Sequence, residues 1–194
     1  WRVYGEGEIG QLEGLVYPDY LLVPELPAEI EYVAGLDFGY YPSPAAVVLA
    51  GRNSEGWWVR EVLYSAGLSI DALGRKLLEA LPVGTPVYCD SAEPRSIDAL
   101  KAMGVRAIAA EKDIDAGINV VQSMPIHVAE GSKNLIRELQ TYVYGQDKNG
   151  NLIGKPAPRQ EDHAMDALRY AIYTHFRTRT HEKIYIRKPK RSYL

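Results

Sequence analysis

At 194 residues and 46% hydrophobic content the chain can bury one substantial core, and its single cysteine, Cys89, excludes an intrachain disulfide and fits a reducing compartment. The formal charge of -3 is uneven: residues 177–194 hold seven Lys/Arg against one Glu, leaving 15 basic and 24 acidic residues in the body before them. A body that acidic repels nucleic acid unless bound cations or a local basic lane offset it, and no apolar run approaches the ~20 residues of a membrane span.

The N-terminus carries no signal-peptide pattern, so the expectation is a soluble, intracellular protein without a membrane partner. A first residue of Trp1 rather than Met suggests a piece cut from a longer chain. Residues 1–29 mix Gly5, Gly7, Gly10, Gly14, Pro18, Pro24 and Pro27 with scattered aromatics, which predicts a lead-in packed against a domain rather than a long helix or central strand. The domain proper is expected over residues 30–176, followed by a basic tail over 177–194.

The domain opens on Tyr32-Val33-Ala34-Gly35-Leu36-Asp37-Phe38-Gly39, an apolar run that delivers one carboxylate at its end and then breaks. Ala45–Gly51 and Trp57–Ser65 follow after short turns, and connections that short favour antiparallel pairing. Ser69 is an N-cap for a helix carrying Ile70, Leu73, Leu77 and Leu81, stopped by Pro82. Val87-Tyr88-Cys89-Asp90 repeats the first pattern, a strand ending in Asp, with Cys89 facing the opposite side. Pro94 starts the next helix and Gly104 ends it. Val105–Ala110 and Ile126–Ala129 read as strands, and helices are expected around Ile114–Val121 and Leu135–Tyr142.

Asp147-Lys148-Asn149-Gly150 between two short strand patterns predicts a protruding hairpin. A last helix is expected from Glu161 to Arg177, with Asp162, Asp166, Arg169 and Tyr173 on one side and Met165, Leu168, Ala171 and Ile172 on the buried side. Lys183–Arg187 alternates like an edge strand. Three antiparallel strands followed by a parallel α/β half make a mixed sheet with helices on both faces.

Asp37 and Asp90 can end neighbouring strands, and the last helix can bring Asp162 and Asp166 across them. Crowded carboxylates oppose one another's ionisation, and a divalent cation removes that conflict. Oxygen donors without a Cys/His cage point to Mg²⁺ or Mn²⁺, and two such ions would activate water and stabilise the leaving oxygen of a phosphodiester. The competing reading is that Asp162 only favours the positive end of its helix, which leaves Asp166 unexplained.

Gly35-Leu36-Asp37-Phe38-Gly39, Tyr88-Cys89-Asp90-Ser91-Ala92-Glu93-Pro94 and Asp162-His163-Ala164-Met165-Asp166-Ala167-Leu168-Arg169-Tyr170-Ala171 resemble the signatures of the nuclease domain of the large terminase subunit, part of the tailed-phage genome-packaging motor. That resemblance implies an RNase H-like fold and a metal-dependent endonuclease that cuts double-stranded concatemeric DNA at the start and end of packaging, with little sequence preference. By motif, Asp37 would bridge two metal ions, Asp90 would bind one and Asp166 would complete the site, with Asp162 and His163 either ligands or their hydrogen-bonding partners. Lys112 matches a position where relatives often carry a Lys in Glu-Lys, and is either a group that steadies a phosphate or a carboxylate or a solvated surface charge. The implied partners are an upstream ATPase domain, joined through residues 1–29, the portal protein and the small terminase subunit. The implied place of action is the host cytoplasm, docked on the procapsid.

Lys148 and Lys155 on the hairpin are either DNA contacts or ordinary surface charges. The basic tail, 177–194, contacts either phosphates or another motor component, or simply solubilises the end. Gly131-Ser132-Lys133 lacks the spacing of a phosphate loop. Other readings are a Holliday-junction resolvase, an RNase H, an actin-like or sugar-kinase lobe, or a DNA-docking module with a dead site. The kinase reading needs a second glycine-rich turn where Asp90 is instead followed by Ser91-Ala92.

Overall fold

Pro18 and Pro24 frame the first strand of the computed structural model, β1 (Tyr20–Val23), in a segment expected to be irregular. The strand lies at the sheet's margin, beside one parallel neighbour. Backbone is described for residues 14–185 and side chains for residues 14–177. β2 (Tyr32–Asp37), β3 (Pro44–Arg52) and β4 (Trp57–Ala66) then form the expected antiparallel meander.

Helix α1 (Ile70–Ala80) starts where Ser69 caps it, its side chain accepting from the Ala72 N–H at 3.2 Å. β5 (Val87–Cys89), α2 (Pro94–Ala102), β6 (Ala107–Ala109), α3 (Ile114–Gln122), β7 (Ile126–Ala129) and α4 (Lys133–Thr141) complete the α/β half. The hairpin strands β8 (Tyr144–Gln146) and β9 (Leu152–Pro156) make a separate two-stranded sheet, and α5 (His163–Tyr185) closes the chain.

The main sheet has the order β1-β7-β4-β3-β2-β5-β6, and within it β3 alone runs against the others. Two apolar layers follow from alternation along the strands. Ala34, Leu36, Val87 and Cys89 face the layer of α1 and α2, whereas Val33, Ala46, Val48 and Tyr88 face the layer of α5, with Ile118 of α3 and Leu135 of α4. No helix among the described residues is long and apolar enough to cross a membrane.

Helix α5 departs from its expected form. It begins at His163 and still runs at Tyr185, because no Gly or Pro interrupts the sequence between Pro158 and Pro189. The edge strand expected from Lys183 is therefore helix as far as Tyr185, and the rest of that segment lies outside the described residues. Nor is α5 polar on one side: Arg169 and Tyr173 are as buried as Met165 and Leu168. The helix crosses β2 and β3 at the centre of the sheet and is covered by α3 and α4, so its first turns have little solvent face.

Gly35 lets α5 lie directly on β2. A Cβ there would sit 1.8 Å from the Ala167 carbonyl oxygen. That close approach holds the first turns of α5 over the end of β2 that carries Asp37.

Candidate active site

β2 and β5 are parallel neighbours with Leu36 opposite Cys89, and the Asp90 N–H donates to the Leu36 carbonyl at 3.0 Å. Asp37 and Asp90 therefore leave the sheet at the same end of adjacent strands. Side-chain alternation buries Cys89 in the α1–α2 layer, as expected, and there burial pushes its thiol up to about 12. Asp37, in step with Val33 and Gly35, projects towards α5.

The α5 side supplies the partners. His163 Nδ1 lies 2.8 Å from Asp37 Oδ2. Asp166 Oδ1 accepts from Arg169 Nη2 at 2.8 Å, and the Asp166 N–H closes the first helical turn on the Asp162 carbonyl at 2.8 Å. Across the site, Asp90 Oδ1 accepts from the Ala92 N–H at 2.8 Å and from Lys112 Nζ at 2.6 Å. Lys112 is thus an ion-pair partner of an acidic site residue, with 44% of its side chain exposed.

Electrostatics tie the group together. Burial raises the Asp37 carboxyl, the His163 hydrogen bond opposes this, and Asp166 and Asp90 push it further up. Burial and Asp166 push Asp162 up to about 6, with Asp37 adding to the effect. The hydrogen bond to Asp37 holds His163 above the ordinary histidine value. Such mutual destabilisation marks carboxylates sharing one small region, the condition under which a cation binds best.

As the side chains are placed, no three His, Cys, Asp or Glu among the described residues close into a metal-holding group. His163 instead hydrogen-bonds Asp37, and Lys112 pairs with Asp90. The donor set is nonetheless the one a hard divalent cation takes, carboxylate oxygens with one imidazole, set on rigid strand ends and a buried helix. The residues present fit such an ion.

The hairpin lysines stand apart. Lys148 and Lys155 are exposed, and among the described residues no ion pair joins them to Asp37, Asp90, Asp162 or Asp166. The hairpin turn is held by Asp147, whose Oδ1 accepts from the Asn149 and Asn151 N–H groups at 2.8 and 2.9 Å.

Glu138 is a residue the sequence reading passed over. Fully buried, it accepts from the Ala164 and Met165 N–H groups at 2.7 and 3.1 Å and from the Tyr64 hydroxyl at 2.7 Å, so a carboxylate from α4 caps the start of α5. Glu61 of β4 repeats the device one step earlier, accepting from the Asn134 and Leu135 N–H groups of α4 at 2.7 and 2.8 Å. One signal was available: Glu138 falls between Leu135, Leu139 and Tyr142 on the apolar stripe of α4, where a charge must have a partner.

Comparison with known proteins places this geometry. Residues 37–174 match the family described as Terminase RNAseH like domain. The large terminase subunit of Bacillus phage SPP1 is 33% identical over 154 residues, covering 71% of this chain and 35% of that protein. The PBSX phage terminase large subunit of Bacillus subtilis (strain 168) is 28% identical over 144 residues, covering 71% of this chain and 33% of that protein. The chain therefore spans about a third of the length of these curated relatives. Among solved structures, the large terminase nuclease domain of bacteriophage SPP1 with bound Mn superposes with a TM-score of 0.70 at 25% identity, covering 81% of this chain and 97% of that one.

Proposed function

Because the chain belongs to the terminase RNase H-like domain family, we propose that it is a metal-dependent endonuclease that cuts double-stranded DNA at the start and end of viral genome packaging. The observation that carries this reading is the convergence of three segments. Asp37 and Asp90 end adjacent parallel strands, and α5 begins directly over them with Asp162, His163 and Asp166 in or beside its first turn. The Mn in the similar SPP1 domain supports a divalent ion here.

Two Mg²⁺ or Mn²⁺ ions would supply water activation on one side of a phosphodiester and neutralise the charge that develops on the other. Asp37, from its central position, would hold the ions together with Asp90, and Asp166 would complete the site. Asp162 would complete the acidic set, as a ligand or as a neighbour that adds negative charge. His163 orients Asp37 through its 2.8 Å hydrogen bond or would itself serve as a ligand. Lys112, half in solvent, steadies Asp90 through its 2.6 Å ion pair and would be free to turn to a phosphate. In the motor the domain would act beside an upstream ATPase, the portal protein and the small terminase subunit, in the host cytoplasm at the procapsid.

Incubation of the purified chain with supercoiled plasmid and Mn²⁺ or Mg²⁺ tests the reading. Nicking followed by linearisation is expected, stopped by EDTA and absent in Asp37→Asn with an unchanged circular dichroism spectrum. Equal cutting by that variant ends the assignment, and preferred cutting of a four-way junction or an RNA·DNA hybrid moves it to another nuclease of this fold.

A further inference from the structure

Arg169 is a cation in an apolar interior. It is 2% exposed, its Nε has no hydrogen-bond partner, and its salt bridge is to Asp166 at 2.8 Å. An aliphatic residue would fill the same volume at lower desolvation cost, so packing alone does not account for it. Phenols lie near the guanidinium. The Arg169 guanidinium carbon lies 5.7 Å from the Tyr170 ring centre, and its charge acts on Tyr142 and Tyr17, whose rings stack with centroids 6.0 Å apart.

The aliphatic part of the side chain crosses α3 at Gly117, where a Cβ would meet Arg169 Cγ at 2.4 Å and Cδ at 2.5 Å. Tyr17 reaches this cluster on a short turning segment that bridges Val143 at Leu15. The Tyr144 N–H donates to the Gly14 carbonyl at 2.8 Å, the Val16 N–H to Tyr142 at 2.9 Å, and Gln122 Nε2 to the Val16 carbonyl at 2.7 Å. This segment precedes residues 37–174, the stretch that matches the family.

We propose that Arg169 is the positioning residue for Asp166, gripping Oδ1 from behind so that the other oxygen faces the site, and that Tyr17 completes its seat. Asp166 fits the role: 26% of its side chain is exposed, and Oδ2 has only a long contact, 3.4 Å, with the Tyr170 hydroxyl. The inference rests on the reading of Asp166 as a metal ligand. Its consequence is that the functional site extends back to the lead-in segment at Gly14–Tyr17, so a shift of that segment is felt at the metal-binding carboxylate.

The test uses the full 194-residue chain. Mn²⁺ affinity without DNA is measured by calorimetry, and plasmid nicking is followed against Mn²⁺ concentration, for the wild type and for Arg169→Gln, Arg169→Lys, Gly117→Ala and Tyr17→Leu. Arg169→Gln is expected to need about 10- to 100-fold more Mn²⁺, the usual cost of losing a partner that orients a ligand, with its nicking rate restored at saturating metal. Arg169→Lys falls between it and the wild type. Gly117→Ala and Tyr17→Leu shift the midpoint the same way by less, although every charge remains. Should Arg169→Gln fail to fold, the decision passes to those two variants. Folded variants with a wild-type Mn²⁺ midpoint, or with a loss of cutting that excess metal does not restore, overturn the inference. A wild-type chain that neither binds Mn²⁺ nor nicks plasmid removes instead the nuclease reading beneath it.

Discussion

Burial and the charge of Asp166 push the Asp162 carboxyl up to about 6, and burial raises Asp37 and Glu138 in the same direction. In each case the folded chain holds a proton that the unfolded chain releases near its ordinary value, so stability falls as pH rises through that window. His163, raised by its hydrogen bond to Asp37, acts in the same sense: its stabilisation is present below the unfolded value and lost as pH passes the folded one. In EDTA the Tm is therefore expected to drop between pH 4.5 and 7, with a shallower drop in Asp162→Asn, and differential scanning calorimetry reads both. A divalent ion must displace those protons, so Mg²⁺ or Mn²⁺ should raise Tm more at pH 8 than at pH 5. His163→Ala, which frees Asp37 from its partner, is expected to lower nicking by about 10- to 100-fold, measured on plasmid at fixed Mn²⁺.

The element that decides the site is α5, and its seat has two parts. Underneath, Gly35 admits the helix backbone. Gly35→Ala drives a methyl group into the Ala167 carbonyl and is expected to cost about 1–3 kcal/mol, with cleavage falling more than stability because the helix is lifted from Asp37. At its start, Glu138 satisfies two backbone N–H groups and the Tyr64 hydroxyl. Glu138→Ala leaves those buried donors without an acceptor, each worth roughly 1–3 kcal/mol, whereas Tyr64→Phe removes one hydrogen bond worth about 1 kcal/mol. Urea denaturation of the two variants should show that difference, and the larger loss should appear although Glu138 lies outside the acidic cluster it supports.

For the whole molecule the governing quantity is charge. Residues 1–176 carry 24 acidic against 15 basic side chains, and Asp37, Asp90, Asp162 and Asp166 gather at the site where the proposed function places DNA. Duplex binding should therefore depend on divalent cation beyond simple screening. With Ca²⁺ in place of Mg²⁺, to hold the site without cutting, a fluorescent duplex is expected to bind measurably tighter than in EDTA at equal ionic strength. Fluorescence anisotropy checks this, and Asp37→Asn should lose most of the Ca²⁺ effect.

Sequence alone determined the order of strands and helices from Tyr32 to the start of the last helix, and which acidic residues end strands. These are local properties: apolar runs with period two, a Ser69 cap, stops at Pro82 and Gly104, and Asp37 and Asp90 each closing a buried run. Helix α5 was legible in its existence and in its acidic residues, but its burial was not, because a helix covered on several sides obeys its neighbours rather than one apolar stripe. β1 was too short and too punctuated to show itself without its partner β7. Only the tertiary structure decided that β2 and β5 are adjacent and parallel, that Gly35 brings α5 onto them, that Glu138 caps the start of α5 and that Arg169 pairs with Asp166. Those are contacts between residues distant in the chain, and their energy comes from removing charge and backbone groups from water, which no local pattern encodes.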